Sequence, residues 1–289
     1  MLNDTVSIII PAKNEGSALE KLLVKIQALT ANDGWEIIVV NDGSTDDTSS
    51  ICTSAGVTEV KHLYSKGNGA AIKSGARVAK GENLVFMDGD GQHQPEEIAG
   101  LLEKLRGGYH MVVGARNRTG QASLGRSWAN GFYNWFASKM VGHEVADLTS
   151  GFRAVNAKKF REFLYLLPNG FSYPTTSTMA FFRAGYSVSY MPINVLKREG
   201  KSHINLLRDG VRFLLIIFKI GTLYSPLKLF FPVSVGFFAS GLGYYLYTYM
   251  SKGQFTNMGA LLFVTSVIIF FMGLISEQIA TLMYARSDS

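Results

Sequence analysis

Asp88 and Asp90 stand two residues apart, with Gln92 two further on, in the stretch Phe86-Met87-Asp88-Gly89-Asp90-Gly91-Gln92. In an extended or gently turning backbone, residues i, i+2 and i+4 can point to one side. Two carboxylates and an amide oxygen so placed offer hard ligands to one divalent cation, with positions left for a diphosphate. Gly89 and Gly91 let the backbone turn closely around such an ion. The same letters also spell an ordinary solvated turn, so the surroundings must decide. The apolar run Leu84-Val85-Phe86-Met87 reads as a buried strand. Pro95-Glu96-Glu97 opens a helix, with proline in its first turn and acids at its positive end. A strand, an acidic tip and a helix mark the edge where open α/β sheets bind ligands.

The elements needed to hold that tip recur along the first two thirds of the chain. Apolar runs at Val6–Ile10, Trp35–Val40, Val57–His62, Leu84–Met87 and Met111–Val113 predict strands. Helical patterns lie between them at Ala18–Leu29, Asp46–Ala55, Ala70–Ala79 and Glu96–Leu105. The alternation predicts a mostly parallel, Rossmann-like sheet covered on both faces. Polar strand ends then converge on one edge. The first strand ends in Pro11-Ala12-Lys13-Asn14-Glu15 and the second in Asn41-Asp42-Gly43-Ser44-Thr45-Asp46. Asp42 follows its strand with nothing to pair locally, so it is expected to accept hydrogen bonds from a base or ribose. Thr45 and Asp46 are expected to cap the next helix. Lys66-Gly67-Asn68-Gly69-Ala70 is a glycine turn opening a helix, readable as a tight turn or as a phosphate cradle with Gly67 in it.

After Lys228 the composition changes. Leu229–Met250 is 22 residues without a charge and Gly253–Ser276 another 24. At about 1.5 Å per residue the shorter run reaches roughly 33 Å as a helix, against a hydrocarbon core near 30 Å. Both are expected to span a membrane as a hairpin. Gly236, Ser240, Gly241 and Gly243 are expected to let its helices approach closely. Ahead of the spans, over 203–224, Arg208, Arg212 and Lys219 fall at about 0°, 40° and 20° around a helix, one narrow basic stripe on an apolar cylinder. That pattern predicts an interfacial helix. The expected organisation is a catalytic domain over 1–200, an interfacial region over 201–228 and a transmembrane hairpin over 229–284. Basic residues crowd ahead of the spans while the turn between them carries only Lys252, which places the catalytic domain on the cytoplasmic side. The N-terminus has no basic leader pattern.

The net charge of +6 gathers beside the spans, so anionic lipids, not nucleic acid, are the expected partner. The single cysteine, Cys52, excludes an intrachain disulfide and a cysteine-based zinc site.

Six motifs together give the chain a resemblance to a known family. They are Pro11-Ala12-Lys13-Asn14-Glu15, Asn41-Asp42-Gly43-Ser44-Thr45-Asp46, Asp88-Gly89-Asp90-Gly91-Gln92-His93, Gly114-Ala115-Arg116, Asp147-Leu148-Thr149-Ser150-Gly151-Phe152-Arg153 and Arg198-Glu199-Gly200-Lys201-Ser202. Together they resemble the family-2 glycosyltransferases of GT-A fold, and within them the polyprenyl-phosphate glycosyltransferases such as dolichol-phosphate mannose synthase and bactoprenol glucosyltransferases. The resemblance implies that Pro11, Ala12, Glu15 and Asp42 hold the nucleoside. It implies that Asp88, Asp90 and Gln92 hold Mg²⁺ or Mn²⁺ on the diphosphate. Arg116, Arg126 and Asn130 would grip the acceptor phosphate, and Arg198 and Ser202 would close over the donor. Asn68 stands where family members often carry lysine, Asn130 where a serine is common, and Ser202-His203 replaces a common Ser-Lys.

The implied reaction is transfer of a hexose, with inversion, from a nucleotide sugar to undecaprenyl or dolichyl phosphate. A UDP-sugar is favoured over GDP-mannose. Asp147 is either a base or sugar-orienting group, or a structural cap or ion-pair partner of Arg153. His93 either joins the metal or packs behind it, and Arg153 either binds phosphate or anchors its loop. The competing readings are a membrane-tethered nucleotide-sugar binding protein without turnover and a polysaccharide synthase of the same fold. The synthase usually carries Gln-x-x-Arg-Trp and more spans, neither found here. A homo-oligomer is compatible with each reading.

Overall fold

A computed structural model describes residues 5–31, 33–116, 124–170, 173–195, 215, 218–219, 221–222 and 224–285, except for the side chains of 124–130, 133 and 285. The chain divides into two compact units, 1–210 and 211–289.

The first unit is built on a seven-stranded sheet. Its strands are β1 (Val6–Ala12), β2 (Glu36–Asn41), β3 (Thr58–Lys61), β4 (Asn83–Phe86), β5 (Met111–Arg116), β6 (Arg153–Asn156) and β7 (Val188–Ile193), in the order β3-β2-β1-β4-β6-β5-β7. β1, β2, β3 and β4 pair in parallel, as do β5 and β7; β6 runs antiparallel to both β4 and β5. The central strands are mostly apolar, as in Ile8-Ile9-Ile10, Ile37-Ile38-Val39-Val40 and Leu84-Val85-Phe86, because both faces are covered. Val6, Ile8 and Ile10 point toward α1 (Gly16–Thr30), α2 (Thr48–Ser54) and α4 (Ile98–Arg106), sharing one core with Leu19, Leu23, Cys52 and Leu101. The opposite face is covered by α3 (Asn68–Val78), α6 (Ala157–Arg161) and α7 (Tyr173–Arg183); Phe86 meets Phe160 there at 4.8 Å. Pro95–Glu97 is a turn of 3-10 helix leading into α4.

The antiparallel β6 is what assembles the site. Its first residue, Arg153, lies opposite Phe86, the last residue of β4. The segment entering β6 is thereby delivered to the same edge as Asp88. Val113 of β5 is level with Arg153, so Arg116 also reaches that edge. Alternation of strands and helices did not reveal β6 or β7. β6 is short and opens on an arginine, and β7 carries Ser189 and Pro192 among its apolar residues.

The second unit contains α8 (Pro226–Lys252) and α9 (Asn257–Ala285), both long and apolar enough to cross a membrane. Gly253 ends α8 in the left-handed conformation, donating its N–H to Tyr249. A Cβ on Gly241 would lie 3.2 Å from Leu262 Cβ and one on Gly273 2.7 Å from Phe230 Cβ, so both are true contact points. Gly236, Ser240 and Gly243 are instead exposed, which corrects their expected place in the interface. Both helices are apolar on nearly every side, so the pattern of small residues did not set their rotation. Ser266 donates to the Ser234 carbonyl at 2.9 Å. The Glu277 carboxylate accepts from Ser225 Oγ at 3.1 Å and from the Leu227 N–H at 3.2 Å, satisfying the otherwise open N-terminus of α8. Of the expected interfacial helix, nearly all lies outside the described residues.

Candidate active site

The edge is stitched together before it meets any ligand. Asn14 adopts φ 55° and accepts the Thr45 N–H at 2.8 Å, while its own N–H donates to Ser44 Oγ at 3.1 Å. Asp46 accepts from Gly16 N at 3.0 Å and from Thr48 N at 3.2 Å, so one carboxylate joins the starts of α1 and α2. Burial would raise its pKa, but these donors and the Thr48 hydroxyl bring it down. Pro11 and Ala12 lie in β1 itself and Glu15 precedes α1. The two strand ends expected to hold a nucleoside are therefore joined side by side.

Asp42 differs from expectation. It is 4% exposed and saturated by local donors. Oδ1 accepts from His62 Nδ1 at 2.6 Å and Lys66 N at 2.8 Å; Oδ2 accepts from Ser65 Oγ at 2.8 Å and Gly67 N at 2.9 Å. Four donors fill the acceptor sites of one carboxylate. Burial alone would raise its pKa, yet His62 and the loop donors hold it down at about 2. His62 Nε2 in turn meets Ser74 Oγ at 2.9 Å. The expectation that Asp42 has no local partner is thus overturned, because the chain returns 20 residues later to supply one.

The glycine turn resolves as packing. Gly67 has φ 101°, and a Cβ there would lie 2.6 Å from Asn169 O. Its N–H is spent on Asp42, while Gly69 N and Ala70 N donate to Gly170 O and Asn169 O. A phosphate would find these donors taken, which corrects Gly67 as a phosphate ligand.

Asp147 and Arg116 form the electrostatic centre. Arg116 Nε donates to Asp147 Oδ2 at 2.7 Å and Nη2 to Oδ1 at 3.0 Å, a bidentate fork; Nη2 also donates to Thr149 Oγ1 at 2.6 Å. The N–H groups of Arg116, Thr149 and Ser150 complete the shell of Asp147. Burial would raise the Asp147 pKa, but Arg116 outweighs it and lowers it, while Asp147 raises that of Arg116 against its own burial. The ion-pair partner is Arg116 and not Arg153.

Arg153 is fully buried and anchors its loop. Nη2 donates to Ser150 O, and Nη1 donates to Pro174 O at 3.0 Å, Ser177 Oγ at 2.9 Å and Thr178 Oγ1 at 3.1 Å. Burial pulls its pKa down, though a guanidinium keeps its proton in proteins.

Between these anchors Asp88 remains open, its side chain 36% exposed. It borders a cavity of about 160 Å³ with Asn68, Thr149, Gly151, Tyr173 and Thr175. A Cβ at Gly151 would lie 2.9 Å from Asp88 Oδ2, so only glycine leaves the carboxylate where it is. His93 packs behind, stacked on Phe152 at 5.0 Å with Nε2 3.7 Å from Asp88 Oδ2. Asp90 Oδ1 accepts the Gln92 N–H at 3.1 Å, and both residues are partly exposed. Among the described residues no three His, Cys, Asp or Glu side chains gather as a cage. Asp88 at the cavity, followed by the partly exposed Asp90 and Gln92, instead fits Mg²⁺ or Mn²⁺, which bind through one or two carboxylates, water and substrate phosphates.

Residues 7–164, over half of the chain, match glycosyl transferase family 2. The chain belongs to that family. Residues 225–282 match the GtrB C-terminal hairpin. The glycosyltransferase AglJ of Haloferax volcanii is 26% identical over 84% of this chain and 81% of its own length. The undecaprenyl-phosphate 4-deoxy-4-formamido-L-arabinose transferase of Pectobacterium carotovorum is 34% identical over 53% of this chain, which spans only 50% of that relative. The fold matches glucosyl-3-phosphoglycerate synthase of Mycobacterium tuberculosis, crystallised with Mn²⁺ and UDP, at TM-score 0.60 and 20% identity over 75% of this chain and 80% of that one. The chain is therefore a GT-A glycosyltransferase carrying two candidate membrane spans.

For a glycosyltransferase, the groups that sequence reasoning missed are His62, Ser65, Tyr173 and Thr175. His62 was visible only as the polar end of an apolar run, and the others carry no local signal. The Arg126 and Asn130 side chains, and Arg198 and Ser202 entirely, lie outside the described residues.

Proposed function

We propose that this glycosyltransferase moves a hexose from a nucleoside-diphosphate sugar, UDP-sugar before GDP-mannose, onto a polyprenyl phosphate with inversion. The catalytic unit would work on the cytoplasmic face of a membrane. One observation carries the choice of acceptor. Asp147 is committed to Arg116 and three backbone N–H groups, and among the described residues Asp88 is the one carboxylate lining the cavity. A hydroxyl acceptor needs a base. A phosphate monoester arrives as an anion and needs none. The hairpin and the acceptor named for the Pectobacterium relative support the same reading.

Asp88 and Asp90, with Gln92, would hold Mg²⁺ or Mn²⁺, which when bound offsets the charge gathering on the leaving diphosphate. The side chains of this chain do the rest. Pro11, Ala12 and Glu15 line the nucleoside end, and Asp42 supports it by holding the loop over Ser65–Gly67. Arg116, fixed by Asp147, faces the anions that must meet, and Arg126 and Asn130 are its expected helpers at the acceptor phosphate. Arg198 and Ser202 are the expected lid on the donor.

The test is to mix donor, Mg²⁺ and either polyprenyl phosphate or the matching polyprenol. Lipid-linked sugar and free nucleoside diphosphate should form with the phosphate alone. Turnover with the alcohol refutes the acceptor assignment, and tight donor binding without release indicates a binding protein. Chelation should abolish release and added Mg²⁺ or Mn²⁺ restore it.

A further inference from the structure

Helix α5 (Leu124–Val141) packs beside α7 with its polarity reversed. Its inner side is partly polar. Asn134 Nδ2 donates to Ala146 O at 2.5 Å, and Asn134 Oδ1 accepts the Leu148 N–H at 3.1 Å. Ser138 Oγ accepts the Val145 N–H at 2.9 Å. Ala137, Met140 and Val141 are buried on the same side. The bulk is on the outer side: Phe132 is 46% exposed and Trp135 55%, with the half-buried Phe136 next to them. The Phe132 ring lies 5.6 Å from Trp135 and 6.5 Å from Phe136. At about 3.6 residues per turn, Phe132, Trp135, Phe136 and the exposed Lys139 fall within about 100° of one another, one stripe along the helix.

A helix on the surface of a water-soluble domain turns its charged and polar residues out and its apolar ones in. In α5 an asparagine and a serine face the protein and the aromatics face away from it. Two properties identify the medium they meet. The chain carries two candidate membrane spans, so a bilayer is at hand, and the amphipathic ring of tryptophan favours the headgroup level. Over its whole length α5 holds Arg126 and Lys139 and no aspartate or glutamate, a charge that complements anionic lipid headgroups. The helix is also linked to the site. The loop gripped by Asn134 and Ser138 contains Asp147, whose carboxylate forks onto Arg116. The depth at which the stripe settles therefore fixes the height of Arg116 above the lipid phosphates.

We infer that α5 is a membrane-docking helix, its stripe of Phe132, Trp135 and Phe136 seated among anionic lipid headgroups, and that this seating presents Arg116 to the phosphate of a lipid acceptor. The second half rests on the acceptor reading above. The test attaches a nitroxide to Phe132→Cys, Trp135→Cys, Val24→Cys and Ile268→Cys variants of the full chain in phosphatidylcholine–phosphatidylglycerol vesicles. Wild type, whose single cysteine is the buried Cys52, gives the background. The Phe132→Cys and Trp135→Cys labels should meet oxygen more than a water-soluble nickel chelate, as should the Ile268→Cys label within α9. The Val24→Cys label, at a site 64% exposed on α1, should do the reverse. Nickel ahead of oxygen at Phe132→Cys and Trp135→Cys overturns the inference. So does shielding from both reagents, which would mean that another part of the chain or a second copy covers the stripe. Nickel ahead of oxygen at Ile268→Cys overturns the membrane reading itself. Trp135→Asp should raise the KM for a long polyprenyl phosphate in these vesicles by roughly fivefold, with kcat and melting temperature unchanged. A short, water-soluble isoprenyl phosphate should be used as well as before. An equal loss with both acceptors, or none with either, overturns the link to Arg116, whereas wild type inactive on both overturns the acceptor reading.

Discussion

Four donors converge on Asp42, and removing the acceptor leaves them facing a group that cannot take them all. Asp42→Asn should cost about 2–4 kcal/mol of stability, measured by denaturant unfolding in detergent. The folded carboxyl sits at about 2 against an ordinary 3.8. Its contribution is therefore complete above pH 3.8 and fades as pH falls toward 2. Wild type should lose stability across that window, and Asp42→Asn should lack that part of the slope. Asp147→Asn breaks a pair whose arginine is about one third exposed, so a loss of roughly 2–3 kcal/mol is expected, below the fully buried case. Turnover should fall through a raised KM for polyprenyl phosphate, with the acid limb of the pH profile unmoved. A shifted limb would make Asp147 the base, and near-normal turnover would remove it from the mechanism. At this scale the sequence marked positions that the fold gathers on the sheet edge, but not their partners. Spacing within a motif is local, whereas His62 reaches Asp42, and Thr149 reaches Arg116, only after the chain has folded back.

Helix α8 meets α9 at points where a side chain has no room. Gly273→Ala would put a Cβ 2.7 Å from Phe230, whereas Gly236→Ala meets nothing within 4 Å. The first should lower the melting temperature in detergent, at a cost of about 1–3 kcal/mol, and the second should not. Equal effects would contradict this pairing of the helices. The parallel half of the sheet was legible because β1, β2 and β4 each carry three or more consecutive apolar residues punctuated by turn residues. β6 was not, since four residues beginning with arginine give no periodicity and strand direction leaves no mark in composition. Yet that reversed strand brings Thr149 and Gly151 to Asp88.

Composition divided the chain into a charged α/β part and an apolar part, and both were legible for a simple reason. Burial in a sheet and residence in a bilayer demand different lengths of uncharged run. Orientation is a separate matter and rests on the basic residues ahead of α8. Cys52 is fully buried with its thiol pushed up to about 11, so wild type should react slowly with maleimides. Lys252→Cys, in the last turn of α8, should react with an impermeant maleimide from outside intact cells. Labelling only after lysis would reverse the assigned topology.

Arg153 has one more consequence. By knotting Ser150 to the opening turn of α7, it makes two sides of the cavity beside Asp88 a single block. Girth is cast into that block, so widening the cavity would mean moving a loop and a helix together, not exchanging one side chain.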